Sequence, residues 1–76
     1  MTLHERLRLA RELAGISQHR LAVSLDVTGA TVSAWELGRA EPRASHIEAI
    51  ARRCGCSAAW LLTGEGASPV ASQDGR

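Results

Sequence analysis

The sequence predicts an all-α domain, a compact bundle of five helices, and three observations lead there. Apolar residues recur every three or four positions through five successive segments, the spacing that gives a helix one buried face. Each segment is introduced by Ser or Thr and closed by Gly or Asp, residues that satisfy orphan amides at a helix start or release the chain at its end. The chain has only 76 residues and contains no Tyr or Phe, so Leu, Ile, Val and Ala must fill most of the core, with Trp35 and Trp60 as anchors. A domain this small buries only about 60% of the surface its unfolded chain exposes, which short, closely packed helices can achieve.

The first helix is expected from about Leu3 to Ala14. Leu3, Leu7, Ala10, Leu13 and Ala14 form its inner stripe, and Thr2 with Glu5 has the form of a capping box. Gly15 stops it, Ile16 tucks inward, and Ser17 caps a second helix over roughly Gln18 to Leu25. Asp26 ends that helix, Val27 points inward, and Thr28 caps a third that continues to about Leu37, with Val32 and Trp35 facing the core and Gly38 closing it. Residues 38–43 read as a loop, because Pro42 cannot continue a helix and biases Glu41 towards extended backbone. Ser45, with Glu48 three residues on, is the expected cap of helix four, whose buried face is Ile47, Ile50, Ala51 and Cys54 and whose stop is Gly55. Ser57 opens helix five, with Trp60 and Leu61 facing in. From Gly64 the composition turns to Gly, Ser, Pro, Ala, Gln and Asp, so residues 1–65 read as the domain and 66–76 as a flexible polar tail.

The centre of the chain carries the functional signal. For helices two and three to cross steeply over a short turn, the first must offer a small side chain at the crossing, and Ala22 does. The turn also calls for a left-handed residue, a role that falls to Asp26, which tolerates that region better than most. With these features in place, SQHRLAVSLDVTGATVSAWELG, followed by EPR and IARRCGCSAAWLLTGEG, resembles the Cro/CI-type phage repressors of the lambda-repressor-like helix-turn-helix family, over about Leu3 to Gly66. Ser17-Gln18, Trp35-Glu36, Gly38, Pro42 and the Trp60-Leu61-Leu62 ending occur together and in order.

The resemblance implies a five-helix lambda-repressor-like bundle that binds double-stranded DNA sequence-specifically and regulates transcription, with helix three in the major groove. It places Thr28, Gly29, Ala30, Thr31, Ser33 and Ala34 at base edges or nearby backbone, and Gln18, Arg39 and Arg43 on phosphates. It also implies an ion pair between Arg11 and Glu36, and a homodimer on a two-fold related operator with contacts near Trp60 to Gly64. Related domains occur alone or as the front end of larger repressors, and the segment after Gly66 resembles a linker. The expected reading face lacks Arg, Lys, Gln and Asn, the usual base partners, and offers hydroxyls and the Ala30 methyl, which suits thymine methyl contact with more weight on water bridges and DNA shape. Gly29 costs helix three up to about 1 kcal/mol relative to Ala if it lies in the helical interior, and a close approach to the groove would explain it.

Other readings are weaker. Formal net charge is only +1, modest for a nucleic-acid binder, so placement of the nine basic residues, all Arg, matters more than their sum. That near-neutrality and the small reading residues motivate an alternative, a protein-interaction module that kept the scaffold and lost base readout. Arg6, Arg8, Arg52 and Arg53 interleave with Glu5, Glu12 and Glu48 as a solvated face, and His4 and His19 read as surface residues. Cys54 and Cys56, one residue apart, close too small a loop to staple a domain, and with the distant His46 they do not make a four-ligand metal site. No nucleophile, base and acid constellation or phosphate loop is recognisable, so no enzyme, cofactor or small-molecule substrate is expected. Without a signal-peptide pattern or a membrane-length apolar run, the sequence points to a cytoplasmic protein.

Overall fold

Capping chemistry sets where most of the helices begin. In the computed structural model, which describes residues 1–69, α1 spans Leu3–Leu13, α2 Gln18–Leu25, α3 Gly29–Glu36, α4 Ala44–Cys54 and α5 Ala58–Thr63, with no strand among the described residues. Thr2 and Glu5 close a reciprocal capping box: the Thr2 hydroxyl accepts from the Glu5 amide and the Glu5 carboxylate accepts from the Thr2 amide at 2.8 Å. Ser17, Thr28 and Ser57 each accept from the amide three residues on. The expected Ser45 cap does not form. Helix α4 starts at Ala44, and Arg43, its first flanking residue, makes no side-chain capping bond. Pro42 restrains Glu41 rather than Arg43, and Ala44 is a strong helix former, so the helix extends backwards past the serine.

Asp26 adopts φ 58° and ψ 43°, the one non-glycine residue with positive φ among those described. This left-handed residue lets the Val27 amide reach back to the Ala22 carbonyl at 3.0 Å, which ends α2 and turns the chain into α3 within a few residues. Ala22 is 1% exposed, as a steep crossing of α2 and α3 requires. Behind this pair, α1 packs against α3, α4 and α5, and Leu7, Leu21, Val32, Ile50 and Leu61 are fully buried at the centre. Both tryptophans are core residues, and Trp35 also lies against the His46 ring at a centroid distance of 5.2 Å.

Two segments differ from expectation. Residues 66–69 fold back over the start of α5: the Ser57 amide donates to the Ala67 carbonyl at 2.9 Å, and Pro69 is fully buried. Gly66 makes this possible, because at φ +108° a Cβ would stand 2.8 Å from the Ser57 hydroxyl. The remainder of the expected tail, 70–76, lies outside the described residues. Arg6 is likewise no part of a solvated face. It is buried, and its guanidinium donates to the carbonyls of Leu61 at 2.7 Å, Leu62 at 3.0 Å and Met1. A six-residue helix leaves its last four carbonyls without intrahelical donors; the Gly64 amide takes that of Trp60, and the fork of an arginine supplies those of Leu61 and Leu62 at once. Arg6→Met, which keeps the apolar stem and removes the donors, is therefore expected to destabilise the domain by about 2 to 3 kcal/mol in urea denaturation. An unchanged midpoint would show that water serves these carbonyls equally well.

Candidate nucleic-acid interface

Helix α3 has two unlike faces. Val32, Trp35 and Glu36 are buried, whereas none of Thr28, Gly29, Ala30, Thr31, Ser33 and Ala34 is, and Thr28 and Ala30 are exposed. The core thus grips the inner face of the helix and leaves the other to solvent. The small outward residues create a low surface on which backbone can come close to a partner. At Gly29 the backbone needs no glycine: its φ is not positive, and a Cβ there would meet nothing within 4 Å. The hydroxyls are partly committed to the fold, since Thr28 Oγ1 accepts from the Thr31 amide at 3.2 Å and lies 3.0 Å from Thr31 Oγ1. One hydroxyl donates to the other, which leaves a single hydroxyl hydrogen of the pair for an outside acceptor.

The start of α2 lies beside the end of α3, where Gln18 reaches Glu36. Ser17 takes the Arg20 amide, and the first intrahelical bond runs from the Leu21 amide to the Ser17 carbonyl, so the amides of Gln18 and His19 precede the ladder and suit an anion. Arg39 and Arg43, on the loop after α3, are both exposed, with exposed Glu41 between them. His19 is exposed at the same helix start.

A buried ionic hub ties these parts together. Arg11 Nε donates to Glu36 Oε2 at 2.6 Å and Nη2 to Oε1 at 3.0 Å, a bidentate pair whose side chains are 12% and 3% exposed. Its third nitrogen, Nη1, donates to the Ile16 carbonyl at 2.8 Å in the turn before α2. The hydrogen bonds to Glu36 hold the Arg11 guanidinium above its usual range, against the opposing effect of burial. Gln18 joins the hub: its Nε2 donates to Glu36 Oε1 at 3.0 Å. Sequence reasoning missed this contact because nothing in residue spacing relates position 18 to position 36.

The low net charge hides an uneven placement of the arginines. Arg6 is engaged with carbonyls, Arg11 with Glu36 and Arg8 with Glu12, while Arg20, Arg39, Arg43, Arg52 and Arg53 are exposed and form no ion pair among the described residues. The cysteines are free thiols, with Cys54 buried, and no cluster of His, Cys, Asp and Glu able to hold a metal occurs among the described residues. Burial pushes the Cys54 thiol up to about 11, with the neighbouring Cys56 adding to it. Because the thiol keeps its proton longer in the folded chain, the stability it contributes is complete below its unfolded value near 9 and is lost as pH rises towards about 11. Folded protein at pH 7.5 is thus expected to alkylate at Cys54 far more slowly than urea-unfolded protein, read by mass spectrometry. Equal rates would contradict the burial. No helix among the described residues is long and apolar enough to cross a membrane.

Comparison with known proteins agrees with this geometry. A helix-turn-helix family model matches residues 7–61. The HTH-type transcriptional regulator DicA of Escherichia coli strain K12 is 34% identical over 65 residues, 86% of this chain but 48% of that protein, so the chain spans about half the length of this relative. Among solved structures, the P22 c2 repressor in complex with a synthetic operator superposes with a TM-score of 0.79 at 29% identity, covering 86% of this chain and 98% of that one. The DNA-binding domain of the same repressor in solution gives 0.78 at 30% identity, covering 84% of each chain. A hypothetical transcription factor from Neisseria gives 0.71 at 37% identity, covering 79% of this chain and 69% of its own.

Proposed function

Because this chain belongs to the helix-turn-helix family, whose model spans residues 7–61, we propose that it is a sequence-specific double-stranded DNA-binding transcriptional repressor of the cytoplasm that enters the major groove with α3. The observation that carries this reading is the division of α3 into a core-gripped face and an open face of small residues from Thr28 to Ala34. Its relatives supply the class of ligand: one is a transcriptional regulator and another a repressor solved on its operator. Repression acts by occupancy. Helix α3 enters the groove, Gln18, the opening amides of α2, Arg39 and Arg43 hold phosphates, and the bound protein obstructs polymerase.

Base reading falls to few groups. The Thr28 and Thr31 hydroxyls are largely engaged with each other, and the Ala30 methyl stands exposed, so contact with thymine methyls and sensitivity to DNA shape dominate over bidentate hydrogen bonding. Gly29 fits this arrangement as a concession to the duplex. Gly29 is the first residue of α3, not an interior one, so Gly29→Ala is expected to change stability by no more than about 0.5 kcal/mol, the fold having room for the methyl, and to weaken operator binding by holding the backbone off the groove. Thermal melting and a binding titration read the two effects separately; stronger binding would refute the close approach.

The repressor acts as a homodimer on a two-fold related operator. Trp60 and Leu61 are buried within the monomer, which leaves Leu62 to Gly64 of the expected interface, and Leu62 is 55% exposed. Arg6 holds the backbone carbonyls of both Leu62 and Met1, and the Met1 side chain is 69% exposed, so each residue offers apolar surface to a second copy. Selection from a random duplex library, followed by gel shifts at about 50 and 200 mM salt, tests the whole reading. Enrichment of a two-fold related sequence with steep salt dependence is expected, and absence of binding at low salt would favour a protein-interaction module instead.

A further inference from the structure

Resting on the DNA reading above, we propose that Glu36 is a positioning residue for the phosphate contact of Gln18: it orients the Gln18 amide for a nucleic-acid phosphate without touching the duplex itself. A carboxylate only accepts hydrogen bonds, so the Gln18 group turned towards it, 3.0 Å from Oε1, is the amide nitrogen. That nitrogen carries two hydrogens. One is held by Glu36, and the second remains for an outside acceptor. A freely rotating glutamine would turn its carbonyl oxygen to an approaching phosphate as readily as its N–H, and the oxygen would be repelled. Glu36 removes that ambiguity before DNA arrives, so less ordering remains to be done on binding.

The hub also fixes where the oriented amide stands. Glu36 is the last residue of α3, and Arg11, which grips both its oxygens, also holds the Ile16 carbonyl just before the Ser17 cap of α2. The phosphate-facing start of α2 and the far end of the reading helix are therefore tied to one guanidinium. Glu36 is 7% exposed and cannot reach a duplex, so any effect on binding beyond loss of fold has to pass through its neighbours.

A double-mutant cycle on operator affinity tests this. Glu36→Asp keeps the charge that Arg11 requires but draws the carboxylate back by one methylene, away from Gln18 and in part from Arg11; loss passing through Arg11 alone would multiply with that of Gln18→Ala. Gln18→Ala is expected to weaken binding roughly tenfold, the scale of one hydrogen bond to a charged group. Glu36→Asp should weaken it by several fold, with the double variant within about twofold of Gln18→Ala alone. Multiplicative losses in the double variant would overturn the proposal. A wild-type protein that holds no duplex would overturn the DNA reading with it, which distinguishes the two failures. The wild-type chain gives a second readout should Glu36→Asp unfold. On adding operator, one Gln18 side-chain amide proton is expected to shift in the NMR spectrum while its partner, held by Glu36, stays near its free position. Equal movement of both, or a freely rotating amide in the free protein, would overturn it.

Discussion

Glu36→Ala is expected to lower the stability of this domain by about 3 to 5 kcal/mol. The substitution strands the guanidinium of Arg11, whose side chain is 12% exposed, without the carboxylate that takes two of its nitrogens, and removes the acceptor for Gln18 as well. Breaking a buried pair from one side costs about 3 to 5 kcal/mol, because the remaining charge is neither solvated nor matched. A chain of this length has a total stability of only about 4 to 11 kcal/mol, so one change removes a large part of it. The same physics gives the control. Arg11→Met combined with Glu36→Leu strands neither half of the pair and is expected to recover most of the loss, while still impairing DNA binding through Gln18. Urea denaturation checks both, and a cost below about 1 kcal/mol for Glu36→Ala would show that water already reaches the pair.

The second large effect concerns binding. Arg39 and Arg43 are exposed and unpaired among the described residues, and Arg43 makes no capping bond to α4, so replacing both by Ala is expected to change stability by no more than about 0.5 kcal/mol. On DNA the change is large. Each phosphate contact contributes about 0.9 to the slope of log affinity against log salt, so losing two lowers the slope by about 1.8 and weakens binding at 0.1 M salt by roughly 60-fold. Sequence preference should survive, since phosphate contacts position the protein and base contacts specify the site. A slope unchanged from wild type would place these arginines away from the duplex and move the basic contact to Arg20 or His19 at the start of α2.

How well the sequence anticipates the structure varies with the kind of interaction. The capping serines and threonines at 2, 17, 28 and 57 are legible because a cap is a local hydrogen bond spanning three residues. Asp26 is legible for the same reason: the turn demands a left-handed residue and the side chain at that position can adopt one. Ser45 fails because a cap signal states only where a helix could begin, and Ala44 allows it to begin earlier. The Arg11–Glu36 pair is accessible through family resemblance alone, since a separation of 25 residues leaves no periodic trace.

Arg6 shows the limit most clearly. In sequence it sits in an alternation of acids and bases that looks solvated, yet in the fold it holds the carbonyls of residues 55 and 56 positions away. Resemblance points Gln18 at a phosphate, but its bond to Glu36 exists only once α2 and α3 are packed. Similarly, Pro69 lies in a stretch too polar on average to suggest burial, and its place is set by the Ser57 amide and the space beside Gly66.

By itself the chain determined the five helices, the turn at Asp26 and the inner stripe of α3 at Val32 and Trp35, because periodicity and capping act over a few residues of backbone. Only the tertiary structure decided which polar side chains are buried with partners and which remain free to meet an anion. Desolvation and pairing depend on what the fold brings within hydrogen-bonding distance, and that distance bears no relation to separation along the chain.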